Sequence, residues 1–226
     1  MAEKLLPICK RADSPEQKNA RRKAILRVAA AELARSGAAE DLTIEALSRK
    51  IGLAKGTVYL YFPSKNALFL ALLLDALESL LTDISRRLIK LPSPVSAVQV
   101  AHAIRDAIGK SSRVRQLPRL LRSLSENKMK SSSQAFKERI HPCLKKVDAI
   151  LVQRLEKLRP GDGRRIIDYA WAMHLGLSQM AENRAKKQHC REPRVEGIST
   201  DPEQALGDGL TLLIEGYLAR SGGLSK

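Results

Sequence analysis

The sequence predicts an all-α protein, and three observations carry that expectation. Leu and Ala supply much of the apolar content while aromatic residues are only 4% of the chain, a balance that favours helices over strands. Apolar residues recur at helical spacing, as in Ile25, Val28, Ala29 and Leu33. Breakers separate these periodic runs: Gly37, Gly52, Leu91-Pro92-Ser93-Pro94, Pro160-Gly161-Asp162-Gly163 and Ser221-Gly222-Gly223. No segment of strand period is long enough to compete, and no internal repeat is visible.

Residues 1–13 read as a basic, loosely ordered arm. Ser14-Pro15-Glu16-Gln17 is a helix start, with Ser as N-cap, Pro in the first turn and Gln three residues after the cap. The first helix runs to about Ser36, where Gly37 stops it. Its stripe should pack on Leu47, Ile51 and Val58. Thr43–Lys50 is a second helix, ended at Ile51-Gly52-Leu53, and Ala54–Leu60 is a third, closed by Tyr61-Phe62-Pro63. Two short helices joined by a Gly-containing turn are the sequence form of a helix-turn-helix. In that motif the second helix lies in the DNA major groove. A fourth helix opens at Ser64-Lys65 and stays apolar to Ile84, ending before Leu91.

The rest reads as helices only. Ser96–Lys110 is one; Arg113–Asn127 is a pair broken at Pro118; Gln134–Leu158 is long, with a kink expected at Pro142. Arg164–Gln188 follows the Pro160 turn. His189–Thr200 is a loop. Asp201-Pro202 opens a last helix that runs to about Arg220.

Thr43-Ile44, Ala46-Leu47, Gly52, Lys55-Gly56-Thr57-Val58-Tyr59, Tyr61-Phe62, Ser64-Lys65 and Leu68 together resemble the DNA-binding domain of TetR-family transcriptional regulators. With the first helix, the resemblance spans about residues 15–85. It implies a three-helix helix-turn-helix domain over residues 1–62, joined to a helical effector-binding and dimerisation domain over 63–226. A further expectation is that the fourth helix couples the two. One departure stands out: the family often has Ser or Thr before the Lys-Gly pair, and here that position is Ala54.

The DNA-facing candidates are Thr43, Lys55, Gly56, Thr57, Tyr59, Leu60, Tyr61 and Lys65. Thr43 caps the second helix, and the free amides behind it can take a phosphate; the resemblance implies that contact. Gly56 lacks a side chain and lets the third helix approach base edges. Thr57 can donate to a base or a phosphate, or touch a thymine methyl. Lys55 and Tyr59 suit phosphate, with a base also in reach of Tyr59. Tyr61 reads either as a core-edge aromatic or, from the resemblance, as a phosphate contact. Lys65 stands at a helix N-terminus, where dipole and side chain both attract phosphate. Lys18, Arg21, Arg22 and Lys23 read equally as a phosphate grip or as a solvated basic tail.

A formal net charge of +16 favours a polyanionic partner, nucleic acid first and an anionic membrane surface second. Cys9, Cys143 and Cys190 are odd in number and widely spaced, which speaks against a disulfide framework and fits a reducing cytoplasm. The N-terminus has no apolar h-region, and the longest apolar run, Ala67–Leu74, is too short to span a bilayer. A soluble cytoplasmic protein is expected. No nucleophile–base pair, phosphate loop or carboxylate cluster marks an enzyme, and no cofactor is implied. His141-x-Cys143 and His189-Cys190 match no zinc spacing, so no metal is expected.

In the C-terminal half, Leu206, Leu210, Leu213, Ile214, Tyr217 and Leu218 make a broad apolar face. Burial within the chain competes there with burial against a second copy, and the resemblance favours a homodimer. His102, Trp171, Met173 and His174 are the polar-edged or adaptable candidates for a ligand pocket, with core packing as the plain alternative. Between Lys110 and Lys146, eleven Lys and Arg face only Glu126 and Glu138. That run is either a solvated face or an attractor for an anionic effector, such as an acyl-thioester or phosphorylated metabolite. The resulting expectation is a homodimeric repressor that binds a double-stranded operator and is released by a small molecule. The alternative is an effector-independent architectural or cell-division DNA-binding protein on the same fold.

Overall fold

The computed structural model describes residues 14–36, 42–109, 111, 120, 132–187 and 201–220. Among the described residues there are eight helices and no strand: α1 (Pro15–Ser36), α2 (Ile44–Ile51), α3 (Lys55–Tyr61), α4 (Lys65–Lys90), α5 (Ala97–Gly109), α6 (Ser132–Arg154), α7 (Asp162–Lys187) and α8 (Pro202–Arg220). They fall into two compact units. The first comprises Met1–Ala76 and Arg119–Ser132, the second Leu77–Pro118 and Ser133–Lys226. The residue 1–13 arm, Gly37, the Pro118 break and the 189–200 loop lie outside the described residues.

Local chemistry explains where the helices start. Ser14 and Gln17 form a reciprocal capping box at α1, with Gln17 N–H donating to Ser14 Oγ at 3.2 Å and Ser14 N–H to Gln17 Oε1 at 3.4 Å. Ser96 and Gln99 repeat it at α5. Ala67 N–H donates to Ser64 Oγ at 3.0 Å, and Glu203 N–H to Asp201 Oδ1 at 2.9 Å. Each bond meets a backbone N–H that the first helical turn leaves without a partner.

In the first unit, Ile25, Ala29 and Leu33 of α1, Leu47 of α2, Val58 of α3, Phe62, and Leu68 and Phe69 of α4 are buried. Val28 and Ile51, both expected in that core, are only half-buried, while Leu26 is buried instead. In the second unit the core comes from Ile84 and Leu88, Ile104, Val147 and Leu151, Ile166, and Leu210 and Ile214. Leu206, Leu210, Ile214 and Tyr217 of α8 are buried within the single chain, because α8 packs against both α5 and α7. The apolar face that the sequence offered to a second copy is thus largely covered from inside. Leu212 remains 70% exposed.

α6 ends at Arg154, four residues before the sequence expectation, and runs through Pro142. Leu155 and Leu158 are both buried, and Leu158 N–H closes a tight turn onto Leu155 C=O at 2.9 Å. Arg154 donates to the carbonyls of Leu88 (3.2 Å), Ile89 (3.3 Å) and Leu91. These belong to the end of α4, where carbonyls lack helical partners. The Arg139–Glu78 ion pair joins the same two helices.

The start of α7 depends on two carboxylates. Asp148 of α6 accepts from Gly161 N–H (3.0 Å) and Arg164 N–H (3.0 Å). Asp162, almost wholly buried, accepts from Arg159 N–H at 3.0 Å and pairs with Arg165 and with Arg220 of α8. A Cβ on Gly163 would lie 2.9 Å from the Asp148 Cα, so α6 and α7 touch backbone to backbone there. Asp148→Ala is expected to cost about 1.5–3 kcal/mol, the usual worth of hydrogen bonds to a charged acceptor. Gly163→Ala should also lower the melting temperature, since the backbone on the far side cannot yield. Thermal unfolding followed by circular dichroism measures both.

Candidate nucleic-acid interface

The interface is built on the α2–turn–α3 segment. Thr43 caps α2 from an extended conformation (φ −108°, ψ 150°), and Ala46 N–H donates to its Oγ1 at 3.1 Å. Gly52 ends α2 at φ 75°, a left-handed conformation that a side chain resists. Its N–H returns to Arg49 C=O, and Leu53 N–H to Ser48 C=O. The chain thereby reverses within a few residues and starts α3 at Lys55.

Among α3 residues only Val58 is buried. Lys55, Gly56, Tyr59 and Leu60 are exposed, and Thr57 and Tyr61 are half-buried. Leu60 is 84% exposed. Nothing lies within 4 Å of a Cβ built on Gly56, and its backbone is ordinary helix, so the fold does not require glycine there. Lys65 is half-buried at the first residue of α4, with Nζ 5.3 Å from the Phe69 ring centroid.

Charge is distributed unevenly over this surface. Lys55 pairs with Glu45 of α2 and lies over the Tyr59 ring at 5.9 Å. The Lys55 ammonium holds the Glu45 carboxyl below its usual range, and Glu45 raises Lys55 in return. Lys50 pairs with Glu32 of α1, which also holds Arg35 at 3.1 Å. Lys18 and Lys23 point outward, but Arg21 is buried and Arg22 stacks on the Phe62 ring at 5.2 Å. The basic run therefore lies on a packed helix and is not a free tail. Sequence reasoning missed the Arg22–Phe62 and Glu45–Lys55 contacts, since both join residues on different elements.

The ligand candidates sit in the second unit. Trp171 and His174, one helical turn apart on α7, are in ring contact with centroids 5.7 Å apart. His174 Nε2 is buried and has no hydrogen-bond partner among the described residues. Burial pushes the imidazole below its ordinary value, so it is neutral at pH 7. Met173 Sδ lies 3.1 Å from where a Cβ on Gly209 of α8 would stand, which makes Met173 a packing residue between α7 and α8. His102 is exposed on α5. Among the described residues no three His, Cys, Asp or Glu side chains group to hold a metal, and no helix is long and apolar enough to cross a membrane. His189 and Cys190 lie outside the described residues.

A capped, Gly-turned pair of short helices with one side packed and the other open has the form of a helix-turn-helix. A family model described as bacterial regulatory proteins of the tetR family matches residues 25–72. A second, described as a tetracyclin repressor-like C-terminal domain, matches residues 74–221. The chain belongs to the TetR family of transcriptional regulators. Its fold is similar to that of a transcriptional regulator from Cytophaga hutchinsonii, at 15% identity and TM-score 0.55, covering 88% of this chain and 96% of that one. It is similar also to the TetR family repressor AlkX of Dietzia sp., implicated in biodegradation of n-alkanes, at 19% identity and TM-score 0.51, covering 92% and 96%. A third similar fold is a TetR-family regulator of Streptomyces coelicolor, at 16% identity and TM-score 0.52, covering 91% and 86%. No curated protein sequence matches the chain.

The start of α3 has no side-chain cap. Ala54 has N-cap geometry (φ −64°, ψ 144°) but offers no side-chain bond. Ala54→Ser is expected to stabilise the first unit by about 1 kcal/mol, the usual worth of such a cap, as read by chemical denaturation.

Proposed function

We propose that this TetR-family regulator is a homodimeric repressor that presents α3 of each copy to the major groove of an operator and is released by a small-molecule effector bound in its C-terminal unit. The observation that carries the DNA contact is Gly56. A glycine in a helix is costly, by up to about 1 kcal/mol against alanine, and nothing among the described residues needs it at this position. Close approach of a duplex supplies the reason: without a side chain, the backbone of α3 comes near the base edges. Thr57, Tyr59 and Leu60 then stand around it as base or phosphate partners, with Thr43, Lys55, Tyr61 and Lys65 on the flanking backbone. Residues 1–62 carry the DNA contacts in this reading and 63–226 the effector and dimer contacts.

Dimerisation fits this reading, because operators are commonly read as two half-sites by two copies. Tyr169 and Met180 of α7 and Leu212 of α8 are large apolar residues exposed in the single chain, and they support α7 and α8 as the dimer surface. An effector acts by favouring one of two spacings of the reading heads and shifts the DNA equilibrium by its difference in affinity for them. Trp171 and His174 are the proposed effector contacts on α7, since the buried His174 Nε2 has no hydrogen-bond partner among the described residues. Met173 and His102 are the secondary ones. The basic run around Lys137, Lys145 and Lys146 favours an anionic effector.

Gly56→Ala is the decisive test, because its two expected effects have opposite sign. The free protein should gain up to about 1 kcal/mol of stability, while operator affinity, measured by fluorescence anisotropy on an operator selected in vitro, should fall. Unchanged affinity would remove α3 from the groove. Tyr59→Ala and Lys65→Ala should weaken operator binding without altering the melting temperature by more than a few degrees. Leu212→Glu is expected to shift the sedimentation equilibrium from dimer towards monomer; a dimer of unaltered strength would place the contact elsewhere.

A further inference from the structure

The DNA-facing surface carries one ion pair that works against DNA binding. Glu45 stands in the first turn of α2, two residues after the N-cap Thr43, and its carboxylate pairs with the Lys55 ammonium on α3. Both side chains are about half exposed, so the pair is open to solvent and to a duplex. The same ammonium lies 5.9 Å from the Tyr59 ring centroid. Lys55 is therefore held between a carboxylate and an aromatic face at the start of the reading helix. A carboxylate is favoured at the α2 N-terminus by the helix dipole, which is also the field that would draw a phosphate there. The pairing lowers the Glu45 carboxyl and raises the Lys55 ammonium.

We propose that Glu45 is a specificity-determining residue: it withholds Lys55 from indiscriminate phosphate contact and so lowers affinity for non-operator DNA. The proposal rests on the DNA-interface reading above. The chain has a net charge of +16, and such a protein binds any duplex through release of condensed counterions. A lysine already paired within the protein adds little to that release. To reach a phosphate, Lys55 must leave Glu45, which then stands unpaired beside a polyanion. At a random site nothing offsets that loss. At the operator the contacts of Thr57, Tyr59 and Leu60 with base edges offset it. Glu45 acts through Lys55 and touches no base in this scheme.

The test measures binding of the full chain to a scrambled duplex and to the selected operator over a range of salt, for wild type, Glu45→Gln, Lys55→Met and the double variant. Glu45→Ser serves as a second removal of the charge, and thermal melting confirms that each variant folds. Glu45→Gln is expected to tighten scrambled-duplex binding and to steepen its slope of log K against log salt by about 0.9, one additional phosphate contact. The operator-to-scrambled ratio should fall by several-fold. With Lys55→Met in the background, removing Glu45 should leave the slope unchanged. A slope that steepens equally with and without Lys55 would make Glu45 a general repulsive charge and overturn the proposal. So would unchanged or weaker scrambled-duplex binding in Glu45→Gln, the weaker case meaning that Glu45 orients Lys55 productively. Wild-type protein that shows no salt-dependent duplex binding would instead overturn the DNA-interface reading, and the proposal with it.

Discussion

The first unit depends on the burial of Val58. α3 is seven residues long and buries that side chain alone, and an isolated helix of such length is unstable in water. Its geometry is imposed from outside. Val58 is buried, as are Ile25, Leu33, Leu47 and Phe62 of the same unit, α2 and α3 pack together, the left-handed Gly52 sets the angle from α2, and Phe62 N–H returns to Val58 C=O at 3.0 Å. With Val58 inward and Thr57 and Tyr61 half-buried, Lys55, Gly56, Tyr59 and Leu60 are left exposed. A helix that buried more of itself would hold its place better and offer less to a duplex.

The second unit solves a different problem, the ordering of long helices with few aromatic residues. Polar contacts at helix ends do much of the registering. Arg154 gathers the carbonyls at the end of α4, Asp148 gathers the amides at the start of α7, and Asp162 links the beginning of α7 to the end of α8 through Arg220. A carboxylate at a helix start and a guanidinium at a helix end both follow the helix dipole. Small residues set the spacing: Gly163 against Asp148, Gly207 against Arg105, and Gly209 against Met173. α4 is a single helix from Lys65 to Lys90, so its two halves belong to different units without a break in the backbone.

The starts of α1, α2, α4, α5 and α8 were legible in the sequence because capping is local, whereas α7 opens at Asp162, two residues before the expected Arg164. Ser14 with Gln17, Thr43, Ser64, Ser96 with Gln99, and Asp201 each act within three residues of themselves. Gly52 was legible for the same reason. The candidate DNA face was legible in part: the 3.6-residue period sends Val58 inward and Lys55, Tyr59 and Leu60 outward. The end of α6 was not, because helical pattern continues through Leu158 and only the burial of Leu155 and Leu158 in a turn decides it. Nor was the pairing of Glu45 with Lys55 or the seat of Arg22 on Phe62, since neither pair shares an element.

By itself, the sequence determined the helical class, the caps and the turn at Gly52, all consequences of interactions spanning a few residues. Only the tertiary structure decided which apolar face α8 keeps for its own chain. Leu206, Leu210, Ile214 and Tyr217 are buried against α5 and α7, while Leu212 stays outside. Tertiary packing likewise decided which charges on the α2–α3 surface are already neutralised. Burial and ion pairing depend on neighbours distant in the chain, and periodicity carries no record of them.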